Sequence, residues 1–144
     1  MSYNINRIAL VDSGFWIALL EERDPHHKDA QSKADALLEM KYLLPWPILY
    51  ETLRTRFTRR AWLVHKFEGF LKRPNAVILD DKKYRNDALD QTLSDASTGK
   101  RTISLVDNVL RGIIGDVSVR INCLFTFNPG DFADLCGRRQ IELL

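Results

Sequence analysis

Apolar positions fall into short runs and helical stripes that alternate along the chain. Ile8–Val11 is a four-residue apolar run closed by Asp12-Ser13-Gly14, which predicts a buried strand entering a turn. Phe15, Trp16, Ala18, Leu19 and Leu20 continue as a short helix, stopped by the charged stretch from Glu21 to Pro25. A second helix starts near His26, carries Ala30, Ala34, Leu37 and Leu38, and runs to about Lys41. Leu43-Leu44 reads as a short strand before Pro45. Pro47 suits a first helical position, and the helix it opens carries Leu49, Leu53 and Phe57 on one stripe with Glu51 a turn in. The next helix spans Arg59 to Leu71, with Trp62, Leu63, Phe67 and Phe70 inward, until Pro74-Asn75 breaks it. Ala76–Leu79 is a clear strand, and Lys82–Thr98 a helix with Tyr84, Ala88, Leu89 and Leu93. Ser104–Asp107 opens another helix whose end is contested. Val109, Ile113, Val117 and Ile121 keep a helical period, while Val117 to Phe127 also alternates like a strand. A helix to about Arg120 and a strand over Cys123–Phe127 satisfy both, and Gln140–Leu144 reads as a last strand. Strands alternating with helices predict a parallel sheet covered on both faces.

At 144 residues the chain predicts one domain over residues 1–144, large enough to fold without a staple. Its 45% hydrophobic content excludes disorder as the default, and no apolar run reaches the length of a membrane span. The first seven residues lack a basic region followed by an apolar stretch, so a cytoplasmic location is expected. Cys123 and Cys136 are too few for a disulfide framework or a zinc site, and their apolar neighbours make them small buried hydrophobes. The net charge of +2 is unevenly spread. Residues 54–73 hold seven basic side chains against Glu68 alone, a local +6. Such segregation suits a polyanion, although a solvated helix face would look the same.

In an open parallel sheet, ligands bind beyond the carboxyl ends of the strands. Asp12 follows the first strand there, Glu51 sits near the start of its helix, Asp107 lies in the first turn of another, and Asn128 and Asp131 follow the Phe125–Phe127 strand. Each has an ordinary structural role open to it. Asp12 can cap a helix, Ser104-x-x-Asp107 matches a capping box, Glu51 can pair with Arg54 or Thr55, and Asp131 can belong to a turn. Converging on one rim, however, these acids would repel one another unless a cation joined them. Oxygen ligands without His or Cys select Mg²⁺ or Mn²⁺ rather than zinc.

The stretches Val11–Leu19 with Asp24-Pro25-His26-His27, Pro47-Ile48-Leu49-Tyr50-Glu51, Ser104-Leu105-Val106-Asp107 and Thr126–Phe132 together resemble a PIN domain, in that family's order. The resemblance runs from Ile8 to Phe132. It implies a three-layer α/β/α sandwich with a central parallel sheet and a metal-dependent endoribonuclease, in small free-standing members a VapC-like toxin with an antitoxin partner and a homodimeric state. Carried over by position, Asp12, Glu51 and Asp107 match the family's metal-binding and catalytic acids. Asn128 stands where many members have Asp, and Asp131 lies three residues on to compensate. The resemblance leaves Ser13, Ser104 and Thr126 as supports for the acids, and Arg54, Arg56, Arg59 and Arg60 as contacts to the RNA backbone. A cation there would screen the phosphodiester and activate a water.

Asn128 also motivates a different reading, a non-catalytic RNA-binding or assembly module with a weakened metal site. Asp80-Asp81 after a strand resembles the paired acids of receiver domains, but the accompanying phosphoacceptor and distal Lys are not found. His26-His27 lacks partners at ligand spacing and reads as a loop or helix start, and His65 as a surface residue. Trp16, Trp46 and Trp62 read as core or dimer surface, and no P-loop or GxGxxG is present.

Overall fold

Five short strands form the sheet: β1 (Ile8–Val11), β2 (Lys41–Pro45), β3 (Ala76–Leu79), β4 (Cys123–Phe125) and β5 (Glu142–Leu143). They belong to a computed structural model that describes residues 6–100 and 102–144; of the first seven residues, on which the absence of a leader was read, 1–5 lie outside it. Every pairing is parallel and the order is β3-β2-β1-β4-β5. The central strand sets the register, with Leu10 between Leu43 of β2 and Leu124 of β4.

The chain steps outward from β1 to β2 and β3, returns across the sheet, and steps outward again through β4 to β5. Parallel crossovers are right-handed, so this reversal puts the connecting helices on opposite faces. The first three strands are joined by α1 (Ser13–Leu20), α2 (His27–Leu38), α3 (Trp46–Thr52), α4 (Thr55–Thr58) and α5 (Ala61–Leu71). The return carries α6 (Arg85–Thr98) and α7 (Leu105–Gly115), and α8 (Ala133–Arg139) links β4 to β5. This is the expected three-layer α/β/α sandwich. The reversal occurs beside β1, and that is where open sheets of this kind place their ligands.

Burial is concentrated around the middle strand. Ala9, Leu10 and Val11 have no exposed surface, nor do Trp16, Phe15, Phe67 and Phe125 around them. Trp16 is ringed by Tyr42, Phe67 and Phe70 at centroid distances of 5.5, 5.5 and 5.3 Å, all inclined rather than face to face. Asn75, after Pro74, fixes the start of β3 by donating to the carbonyls of Leu38 and Met40 at 3.0 and 2.7 Å. Among the described residues no helix is long and apolar enough to cross a membrane.

Several boundaries differ from the sequence pattern, each for a local reason. The helix opened by Pro47 ends at Thr52, because Leu53 and Arg54 leave the helical region (ψ 37° and 161°), so Phe57 reaches the core from the separate α4. Helix α5 begins at Ala61, not Arg59. Its core stripe is Leu63 and Phe67, and Trp62, one position off that stripe, is 48% exposed beneath Lys66. Helix α2 stops at Leu38, leaving Lys41 to start β2, and Lys82–Tyr84 is a 3₁₀ turn before α6. Helix α7 stops at Gly115 instead of Arg120. Asp116 accepts from the backbone N–H and hydroxyl of Ser118, which turns the chain, and Val117 is left 83% exposed. Strand β4 ends at Phe125 and β5 covers only Glu142–Leu143.

Candidate functional site

The end of β1 fixes the first acid. Asp12 donates its N–H to the Phe125 carbonyl at 3.0 Å, then caps α1, its Oδ1 accepting from the Ser13 N–H at 2.8 Å. Its Oδ2 accepts from the Thr126 hydroxyl at 3.0 Å, directly after β4. Thr126 is held in turn by the Asn128 N–H at 3.0 Å. Two strands and a helix N-terminus therefore orient one buried carboxylate. Burial raises the Asp12 pKa above the ordinary aspartate value, although both hydrogen bonds act against the rise.

Glu51 reaches the same place from α3, where its Oε1 accepts from the Ser13 hydroxyl at 2.8 Å. The expected pairing with Arg54 or Thr55 is not the contact made; Ser13 ties Glu51 to α1 instead. Asp107 arrives from the first turn of α7, which runs opposite to the strands and so begins at their carboxyl edge. Ser104 caps that helix, its hydroxyl oxygen accepting from the Asp107 N–H at 3.1 Å. The Asp107 carboxyl is pushed up to about 6, first by burial and then by the charges of Asp12, Glu51 and Asp131. Glu51 and Asp131 also push Asp12 upward. None of the largest influences on either aspartate is a cation.

Asp131 closes a 3₁₀ turn over Pro129–Asp131, and Arg111 of α7 donates to its carbonyl at 2.8 Å. It is Asp131, not Asn128, whose charge acts on both aspartates; Asn128 is exposed and contributes its backbone to Thr126. The sequence departure at Asn128 is thus accompanied by an acid three residues later that faces the same group.

Hard oxygen donors with a mutual charge imbalance fit a divalent cation in kind. Among the described residues no three His, Cys, Asp or Glu side chains stand in an arrangement that holds one ion as placed. The donor chemistry fits, and the side chains as placed are not closed around an ion.

The arginines divide. Arg60 is ion-paired with Glu21, while Arg54, Arg56 and Arg59 are exposed, and no side-chain hydrogen bond or ion pair engages them among the described residues. Two features were not legible in advance. His26 stacks on Phe127 at 4.3 Å and 9°, and Phe127 stacks on Phe15 at 5.8 Å, building an aromatic column beside Thr126. The Glu21–Arg60 pair joins α1 to the start of α5. Both contacts span long sequence separations, for which one sequence offers no signal.

The fold has known counterparts. The chain is similar to the VapC20 toxin of Mycobacterium tuberculosis, which cleaves the sarcin–ricin loop, with a TM-score of 0.68 at 17% identity over 88% of this chain and 94% of that one. It is also similar to VapBC2 of Rickettsia felis, solved bound to a DNA fragment from its promoter, with a TM-score of 0.59 at 12% identity over 95% and 97% of the two chains. No protein-family model matches the sequence, and no curated protein does. The chain has a VapC-like PIN fold.

Proposed function

We propose that this protein is a Mg²⁺- or Mn²⁺-dependent endoribonuclease of toxin–antitoxin type, acting at Asp12, Glu51 and Asp107. The observation that carries the reading is the group itself: Asp12, Glu51, Asp107 and Asp131 act on one another at the carboxyl edge of a parallel sheet, with burial and shared charge driving Asp107 up to about 6. A fold has no need of such an arrangement, and a polyanion substrate does once a cation is present. Asp12, Glu51 and Asp107 would hold the ion, with Asp131 or Asn128 supplying a further oxygen. Bound there, a divalent ion screens the phosphodiester, acidifies a water and stabilises the leaving oxygen.

The protein's own residues do the positioning. Thr126 and the Ser13 N–H keep both Asp12 oxygens in place, and the Ser13 hydroxyl keeps Glu51 turned toward them. The Asp107 carboxylate, ionised at neutral pH, orients the attacking water. Arg54, Arg56 and Arg59 follow the RNA backbone, while Arg60, expected from the sequence to join them, is held by Glu21. The similarity to VapBC2 supports an antitoxin partner, and the similarity to VapC20 supports structured ribosomal RNA as the first substrate to try. A homodimer completes the proposal, and sedimentation showing only monomer at micromolar concentration removes that part.

A stem-loop RNA of sarcin–ricin type, incubated with and without Mn²⁺ beside Asp107→Asn, tests the reading. Cleavage that needs Mn²⁺ and falls about 100-fold or more in the variant is expected. A second reading, a non-catalytic RNA-binding module, is favoured by Asn128, which brings an oxygen but no charge. RNA retention with equal background cleavage in every lane would establish that reading and overturn the first.

A further inference from the structure

A cleft of about 510 Å³ lies between the far end of α1 and the α3–α4 junction, walled by Ile17, Arg23, Thr52, Arg54, Arg56 and Arg60. We propose that this cleft is a phosphate subsite, which receives a backbone phosphate of the RNA flanking the cut and so fixes the strand's register against the acids. The inference rests on the nuclease reading for its substrate class.

Position makes the first case. Ile17 is one helical turn beyond Ser13 on α1, about 6 Å along the axis, and Thr52 is the neighbour of Glu51. One strand of RNA passing the acids therefore reaches the cleft without leaving the surface. Charge makes the second. Arg60 is committed to Glu21, which also feels Arg23, while no side-chain partner engages Arg54 or Arg56 among the described residues. Asp24, the other acid of the wall, accepts from the His26 N–H. The cleft thus keeps two uncommitted guanidiniums, the group best shaped to grip a phosphate.

Thr52 makes the third. It has no exposed surface, and its hydroxyl has no hydrogen-bond partner among the described residues. Buried hydroxyls are almost always paired, because leaving one unsatisfied is costly. This one belongs to the wall of a basic cleft, where a phosphate oxygen would complete it. An orphan hydroxyl contributes nothing to the fold, so exchanging it for a methyl should leave stability unchanged or raise it, and only a bound phosphate would feel the loss.

Binding of a fluorescein-labelled single-stranded RNA of roughly twelve nucleotides, without divalent metal, separates these cases. Arg54→Ala/Arg56→Ala should weaken binding about tenfold at low salt and reduce the slope of log K against log salt by about 1.4, two contacts' worth for single strands. Thr52→Val should weaken binding about threefold while its Tm holds or rises. Lys72→Ala, in the same basic segment but paired with Glu68, should change neither affinity nor slope. Neutralising single phosphates as methylphosphonates should reveal one position that costs the native protein as much as the double variant loses, and costs the double variant nothing further. The proposal falls if the Thr52 and double variants bind normally, if Lys72→Ala matches the double variant, or if every phosphate position is equivalent. It also falls if an acidic peptide of equal charge displaces the RNA from the native cleft as effectively as unlabelled RNA, since the cleft would then fit a protein partner. Metal-dependent cleavage plays no part in these readouts, so a failed nuclease leaves the result readable, and intact cleavage with unchanged binding removes the subsite alone.

Discussion

Two regions of this molecule treat their carboxylates in opposite ways. Just past the end of α7 and in α8, Asp116 and Asp134 are neutralised by dedicated partners. Asp116 accepts from Lys83 at 2.8 Å, from the Tyr84 hydroxyl at 2.7 Å and from Ser118, and it is held well below the usual carboxylate range. Asp134 takes a two-pronged contact from Arg111 at 2.8 and 2.9 Å and is lowered as well. At the carboxyl edge of the sheet, Asp12 and Asp107 are instead raised by burial and by other acids. The same side-chain chemistry is spent on cohesion in one region and stored as repulsion in the other. Repulsion that persists in a folded protein marks a place where something besides the fold is served.

The largest expected effect sharpens the edge region. Thr126→Val keeps the size of the side chain but removes the donor to Asp12 Oδ2, leaving the carboxylate held by the Ser13 N–H at Oδ1 alone. Cleavage of the stem-loop in Mn²⁺ should fall about 10- to 100-fold, as losses of supporting groups around metal ligands do. Raising Mn²⁺ should recover part of the loss; normal activity in this variant would detach Thr126 from the site.

The next effect belongs to the paired region. Asp116→Asn gives up the ion pair with Lys83 while keeping an oxygen for Ser118. Its Tm should drop by about a few degrees, and cleavage should be unchanged. The lowered pKa values of Asp116 and Asp134 also mean that their stabilisation is present above the unfolded value of 3.8 and disappears on acidification below it.

What the sequence disclosed follows from the same contrast. Motif positions carry local constraints: Asp12 must end a strand and cap a helix, and Ser104 must cap the helix that carries Asp107, so both were legible from neighbouring residues. The sheet followed too, since Ile8–Val11 and Ala76–Leu79 are apolar runs with clear stops. The breaks at Leu53–Arg54 and at Gly115–Asp116 were not legible, because apolar spacing continued through them. They are decided by backbone dihedrals and by the contacts of Asp116 to Lys83 and Tyr84, more than thirty residues away. Trp62 looked like core because it neighbours a core stripe, and one position of helical rotation carried it out to solvent. Asp131 is legible in the sequence as the acid that compensates for Asn128, but the 3₁₀ turn at Pro129 that carries it toward Asp12 and Asp107 is announced by no periodicity.

The smallest effect is also the one that separates the two regions by sign. Asp107 has its pKa raised from 3.8 to about 6 in the folded, metal-free protein. Between those values the native state retains a proton that the unfolded chain has released. Stability therefore declines as pH climbs through that window and levels off above it. Asp12, also raised, contributes in the same direction. Asp107→Asn removes the larger source of repulsion, so at pH 7 without metal its Tm should exceed the native value by a degree or two, and its decline between pH 4 and 6 should be shallower, with Asp12 supplying what is left. Added Mn²⁺ should raise the native Tm more at pH 7 than at pH 5, because a protonated carboxyl must first give up its proton to a metal. Neutralising an acid would then stabilise this protein at the sheet edge and destabilise it at Asp116. A lowered Tm in both variants would mean that the edge carboxylates are as firmly partnered as those of the helices, and the contrast between the regions would be lost.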